Sequence, residues 1–101
     1  MNKCVHLTVP ADHPALPGHF PGMPILPGVV LLDWMLQAIV EQESLVAESC
    51  TIHSVKFLSP ARPGDRLSLS HERLDSGAIR FDISAGTRKI ATGSLISQAL
   101  P

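Results

Sequence analysis

Prolines crowd one stretch of this 101-residue chain. Six of the nine fall between positions 10 and 27, at Pro10, Pro14, Pro17, Pro21, Pro24 and Pro27, and none lies between Pro27 and Pro60. Proline has no amide to donate, and it drives the residue before it toward extended backbone. Residues 10–27 are therefore barred from helix and from the inside of a sheet. The three-residue spacing of Pro21, Pro24 and Pro27 suits a polyproline-like path with little entropy left to lose on folding. The fold must be built from what flanks this stiff loop.

On its N-terminal side, residues 3–9 (KCVHLTV) alternate and end at Pro10, the pattern of a strand. On its C-terminal side, Gly28 opens a proline-free run to Ser49 that is rich in Leu, Met, Gln, Ala and Glu. Those residues and that length favour helix. The run is apolar nearly all round through Val40, which predicts a buried helix. Asp33, Gln37 and Glu41 interrupt it at four-residue spacing and so share one stripe. From Cys50 the pattern turns to strands: TIHSVKFLS, RLSLSHERL, AIRFDISA and RKIATGSLISQAL, parted by turns at PARPGD, Ser76–Gly77 and Gly86–Thr87. No repeat or linker interrupts the chain, so residues 1–101 read as one domain. A long helix on one face of an antiparallel sheet is the α+β arrangement.

Composition narrows the function classes. Hydrophobic residues make up 45% and charged residues 17%, which excludes a disordered polyelectrolyte. A net charge of −1 gives no general affinity for nucleic acid. The charge is uneven: residues 1–50 carry one base and five acids, residues 51–101 seven bases and four acids. Cys4 and Cys50 have no metal-ligand spacing and do not make a disulfide framework. The N-terminus lacks a signal pattern, and no uncharged apolar run approaches the ~20 residues of a membrane span. The expectation is a cytoplasmic protein with reduced thiols and no membrane association.

Three residues stand out chemically. Asp33 is a carboxylate in an apolar helix, so it must face solvent, meet a buried partner, or be held neutral, and a neutral carboxylic acid is a useful general acid. His19 lies in Gly18-His19-Phe20-Pro21-Gly22 within the stiff loop. Imidazole titrates near neutral pH, which suits a positioned general base. Gly28 falls at the helix start, where backbone amides lack intrahelical acceptors and can polarise a carbonyl oxygen. Each has a plain alternative: a wet helix stripe, a loop histidine bonded to a carbonyl, an N-cap glycine. His6, His13, His53 and His71 show no such setting, and Asp12-His13 has no third metal ligand at a recognisable spacing. Base, acid and carbonyl donor together are the kit for removing a proton next to a thioester and expelling a β-hydroxyl.

His19-Phe20-Pro21-Gly22-x-Pro24-x-x-Pro27-Gly28-Val29, followed by Asp33 and Gln37, resembles the signature of the 3-hydroxyacyl-acyl-carrier-protein dehydratases. Val55-Lys56-Phe57-x-x-Pro60-x-x-Pro63-Gly64-Asp65 resembles that family's next segment, and the likeness runs over roughly residues 15–95. The resemblance implies a hotdog fold, an antiparallel sheet wrapped around one long central helix. It implies a homodimer with each active site at the interface, needing no cofactor and no metal. It implies that His19 abstracts the α-proton and that Asp33 of the other chain protonates the leaving hydroxyl. The Gly28 amide would polarise the thioester, with Gln37, Phe20 and Pro27 in support.

The implied activity is dehydration of a 3-hydroxyacyl chain on acyl carrier protein to the trans-2-enoyl thioester, in fatty-acid or related polyene or polyketide lipid synthesis. The acid is Asp, as in the branch that also isomerises the double bond. Trp34 follows it where a small residue is usual, which would shorten or reshape the acyl tunnel. Lys56, Arg62, Arg66, Arg80, Arg88 and Lys89 suit the acidic carrier. The alternatives are a non-catalytic acyl-carrier-binding hotdog subunit and a hotdog acyl thioesterase.

Overall fold

A computed structural model of the chain describes residues 3–11 and 25–97. The elements run β1 (Lys3–Thr8), α1 (Gly28–Glu43), a short 3-10 turn (Ala47–Ser49), β2 (Cys50–Phe57), β3 (Arg66–Arg73), β4 (Ile79–Ala85) and β5 (Arg88–Ser97). The strands form one antiparallel sheet in the order β1-β3-β4-β5-β2. Alternation of Leu67 and Leu69, then of Ile79, Phe81 and Ile83, puts the apolar set of each strand on one face. The β3–β4 and β4–β5 hairpins turn at Gly77 (φ 92°) and Gly86 (φ 62°), where a side chain would be strained.

That face packs against α1. Leu31, Met35, Ala38 and Ile39 of the helix are buried with Leu67, Leu69, Ile79, Phe81, Ile83, Ala91 and Leu95 of the sheet. Each such side chain contributes about 1.5–3 kcal/mol when fully buried. Phe81 sits opposite Gly93, and Gly93 opposite Val55. A Cβ on Gly93 would stand on the Ser54 carbonyl oxygen and 2.7 Å from Phe81 Cζ, so this position takes no side chain.

The helix departs from the sequence expectation twice. It is covered on one side only: Val29 is 72% exposed, and Asp33, Gln37 and Glu41 are all exposed. It also stops at Glu43 rather than reaching Ser49. Ser44 adopts left-handed backbone (φ 55°, ψ 44°), and the amides of Ser44 and Leu45 both return to the Val40 carbonyl.

Glu43 ties this helix end to the sheet. Its Oε2 accepts from His71 Nε2 at 3.0 Å and from Lys3 Nζ at 3.1 Å, while Oε1 accepts from Arg73 Nη2 at 3.3 Å. The His71 hydrogen bond, opposed by desolvation and helped by Lys3 and Arg73, lowers the Glu43 pKa from 4.5 to about 2. His71 is 3% exposed, the one buried polar side chain among the described residues.

Candidate active site

Pro27 is the N-cap of α1 (φ −59°, ψ 142°), and Gly28 is the first helical residue rather than the cap itself. No side chain caps this end. The Val30 amide folds back to the Pro27 carbonyl at 3.0 Å, which leaves the Gly28 and Val29 amides without an intrahelical acceptor. They lie at the positive end of the helix dipole, where an oxygen carrying partial negative charge is favoured.

The Phe57 ring rests against the Gly28 backbone. A Cβ added to Gly28 would lie 2.6 Å from Phe57 Cζ and 2.9 Å from Cε1, so any side chain here would have to displace the ring. Beside this contact opens a groove of about 400 Å³, lined by Ile25, Leu26, Leu31, Leu58 and Pro60 with the Gly28 backbone, Phe57 and Ser59. That is the size range of small-molecule sites, and its lining is mostly apolar.

The groove wall is braced from behind. Arg88 Nη1 donates to the Pro60 carbonyl at 2.6 Å, and Nη2 to Asp65 Oδ2 at 2.7 Å. Asp65 Oδ2 also accepts the Arg62 amide at 2.9 Å. One residue beyond Pro60, the Ala61 carbonyl accepts the Leu26 amide at 2.8 Å. Leu26 and Ala61 are buried and form an isolated antiparallel bridge two residues before the helix. The PARPGD turn thereby sets where α1 begins.

Asp33 projects into solvent, with Gln37 Nε2 donating to its Oδ2 at 2.8 Å. Of the three expectations for this carboxylate, the single chain realises the exposed one. Asp33 lies five positions after Gly28, about 140° around the helix at 3.6 residues per turn. One chain therefore does not bring the amide and the carboxylate to one place. His19 and Phe20, like Asp12 and His13, lie outside the described residues. Of the expected supporting residues, Pro27 is the helix N-cap and Gln37 is the hydrogen-bond partner of Asp33.

The surface around Asp33 is less polar than a solvated stripe. Val29 heads it, and Leu32, Leu36 and Val40 are only half-buried. β2, the outermost strand on its side of the sheet, is exposed at six of its eight positions, Ile52 and Phe57 among them. The basic residues also sort themselves. Arg73, Arg80 and Arg88 pair with Glu43, Glu72 and Asp65, whereas Lys56, Arg62, Arg66 and Lys89 form no ion pair among the described residues.

Sequence reasoning missed Phe57, Arg88 and His71. The contact between Phe57 and Gly28 leaves no periodic trace, although Phe57 and Gly28 both fall in the two quoted motifs. Cys4 and Cys50 are free thiols. Among the described residues no three His, Cys, Asp or Glu cluster as metal ligands, and no helix is long and apolar enough to cross a membrane.

Known proteins resemble this chain in sequence and in fold. The model of the ApeI-like family, described as ApeI dehydratase, matches residues 2–94. The 3-hydroxyacyl-[acyl-carrier-protein] dehydratase FabZ of Chlamydia trachomatis serovar L2 is 38% identical over 100 residues, covering 86% of this chain and 65% of that protein. For three such curated relatives the chain spans between 57% and 65% of their length. Among solved structures, the dehydratase heterocomplex ApeI:P from Xenorhabdus doucetiae superposes with a TM-score of 0.76 at 25% identity, over 94% of this chain and 85% of that one. The fluoroacetyl-CoA thioesterase FlK superposes at 0.69 over 94% of this chain and 82% of that one, but at 15% identity it speaks to the shared hotdog fold alone. With one helix against a five-stranded antiparallel sheet and a family model spanning nearly its whole length, the chain belongs to the ApeI-like dehydratase family.

Proposed function

We propose that this protein removes water from 3-hydroxyacyl thioesters carried on acyl carrier protein, giving trans-2-enoyl thioesters. One observation carries the reading. Gly28, Asp33 and Gln37, which resemble the dehydratase signature, supply an uncapped amide at an apolar groove and an exposed carboxylate hydrogen-bonded by the glutamine.

The residues divide the reaction simply. The thioester carbonyl oxygen accepts the Gly28 amide, which stabilises negative charge developing there as the α-proton leaves. His19 takes that proton. The released electron pair forms the Cα–Cβ double bond while the Cβ–O bond breaks. Asp33 gives its proton to the departing hydroxyl, which leaves as water, and proton return from His19 to Asp33 resets the site. No metal or cofactor enters these steps.

Amide and carboxylate lie about 140° apart on one helix. A second hotdog chain that covers the Asp33 stripe and the exposed β2 edge would deliver its own Asp33 to this chain's groove and exclude water from both. The unpaired Lys56, Arg62, Arg66 and Lys89 suit an acidic carrier protein, whose encounter complementary charge accelerates. The setting is fatty-acid or related polyene or polyketide lipid synthesis, and half-buried Trp34 beside Asp33 favours short acyl chains.

One similar structure, the dehydratase heterocomplex ApeI:P, favours a second reading. In it the covering chain is a different dehydratase, and this chain serves as a carrier-binding subunit. Mass spectrometry of purified protein with a panel of 3-hydroxyacyl carrier proteins tests the proposal. Enoyl product supports it. Carrier binding without turnover at any chain length supports the second reading, and free thiol release marks a thioesterase.

A further inference from the structure

We infer that Phe57 is a specificity-determining residue, whose ring sets the width of the acyl groove beside Gly28 and selects chains unbranched next to the thioester. The inference rests on the dehydratase reading and names which acyl chains that site accepts.

Phe57 is unusual for an aromatic residue at the end of a strand. One part of its ring rests so close to the Gly28 backbone that a Cβ there would displace it, yet the residue as a whole is 48% exposed and lines the groove. Its backbone has little freedom. Phe57 pairs with fully buried Ala91, and the next two amides, Leu58 and Ser59, both donate to the Ile90 carbonyl at 2.8 and 3.3 Å. Arg88 holds the Pro60 carbonyl just beyond. The backbone that carries the ring is therefore held in place beside the groove.

The chemistry of the occupant follows from the lining. Ile25, Leu26, Leu31, Leu58 and Pro60 offer no charge, so the groove takes hydrocarbon, with the Gly28 amide as the polar anchor at its end. A carbonyl oxygen on that amide sits about 2.9 Å from the nitrogen. The α-carbon is bonded to the same carbonyl carbon. A substituent on it therefore stands in the part of the groove that Gly28 and the Phe57 ring border together. Unbranched chains pass, and an α-methyl group meets the ring.

The test measures binding and turnover separately, on wild type, Phe57→Ala and the milder Phe57→Leu. Calorimetric titration uses non-hydrolysable ketone analogues of 3-hydroxyacyl-pantetheine, unbranched and 2-methyl-branched. Phe57→Ala is expected to raise the branched-to-unbranched affinity ratio about tenfold or more, the order of one methyl group in an apolar pocket, with Phe57→Leu in between. A ratio that stays within about twofold of wild type overturns the inference. So does failure of the wild type to bind either analogue. Selective binding by wild type without any enoyl formation removes the dehydratase reading and leaves the role of Phe57 in place.

Discussion

Gln37 Nε2 donates a 2.8 Å hydrogen bond to Asp33 Oδ2 across one turn of α1, on the helix face turned away from the chain's own core. The amide fixes the carboxyl rotamer and leaves the other oxygen open. Both residues are exposed, so neither supports the core. Asp33→Asn is expected to cut dehydration by about 100-fold or more, the usual worth of a general acid. The melting temperature should stay near wild type. Gln37→Ala should lose less activity, because it removes orientation and not the proton donor. Steady-state assays beside thermal melts check both, and a Gln37→Ala rate loss matching that of Asp33→Asn would argue against this division.

Gly28→Ala forces a methyl group into the Phe57 ring. Overpacking of this kind costs about 1–3 kcal/mol. Phe57→Ala removes the obstacle, so the double variant should be more stable than the two single losses predict. A double-mutant cycle by urea denaturation reads the coupling. Strict additivity would mean that the contact is relieved some other way.

Arg88 is a brace rather than a docking cation. Arg88→Met keeps the stem but leaves the Pro60 carbonyl without this donor and the Asp65 carboxylate with the Arg62 amide alone. Hydrogen bonds to charged groups contribute about 1.5–3 kcal/mol each, and a loss of about 2 kcal/mol is expected. Hydrogen exchange should quicken at the Leu26 amide, which the braced turn holds. By contrast, Lys56→Ala or Lys89→Ala should leave stability unchanged and slow carrier association, most at low salt.

Glu43 makes stability acid-sensitive. Its pKa is near 4.5 when unfolded and about 2 when folded. The unfolded chain thus binds the proton more readily between those values. The stabilisation is complete above pH 4.5 and is lost as pH falls toward 2. Glu43→Gln should flatten the decline in melting temperature across that window. It should also leave buried His71 without its carboxylate, costing about 2 kcal/mol near neutral pH.

Much of the fold was legible because its chemistry is local. Leu67 and Leu69 against Ser68 and Ser70 announce a strand with two faces. Gly77 and Gly86 mark hairpins because only their backbone tolerates the turn. The end of α1 was not legible. Leu45 and Val46 continue the helical composition, but Ser44 turns the chain where Glu43 meets His71, 28 residues away. The uncovered half of α1 was missed for a related reason. An apolar pattern says that a face is covered, not by which chain. At the site, the motif spacing pointed to Gly28, Asp33 and Gln37. Phe57 and Arg88 act through contacts across 23 to 29 positions, which periodicity does not report.

The central claim is that one active site combines His19 of one copy with Asp33 of another. Mixing subunits tests it most directly. His19→Ala and Asp33→Asn proteins are each assayed alone, then unfolded together in equal amounts and refolded. Half the dimers formed at random are mixed, and each holds one site with both native residues. The account predicts two nearly inactive parents and a mixture that regains about a quarter of wild-type turnover, from the two-fold symmetry of such a dimer. A mixture no more active than the average of its parents would contradict it.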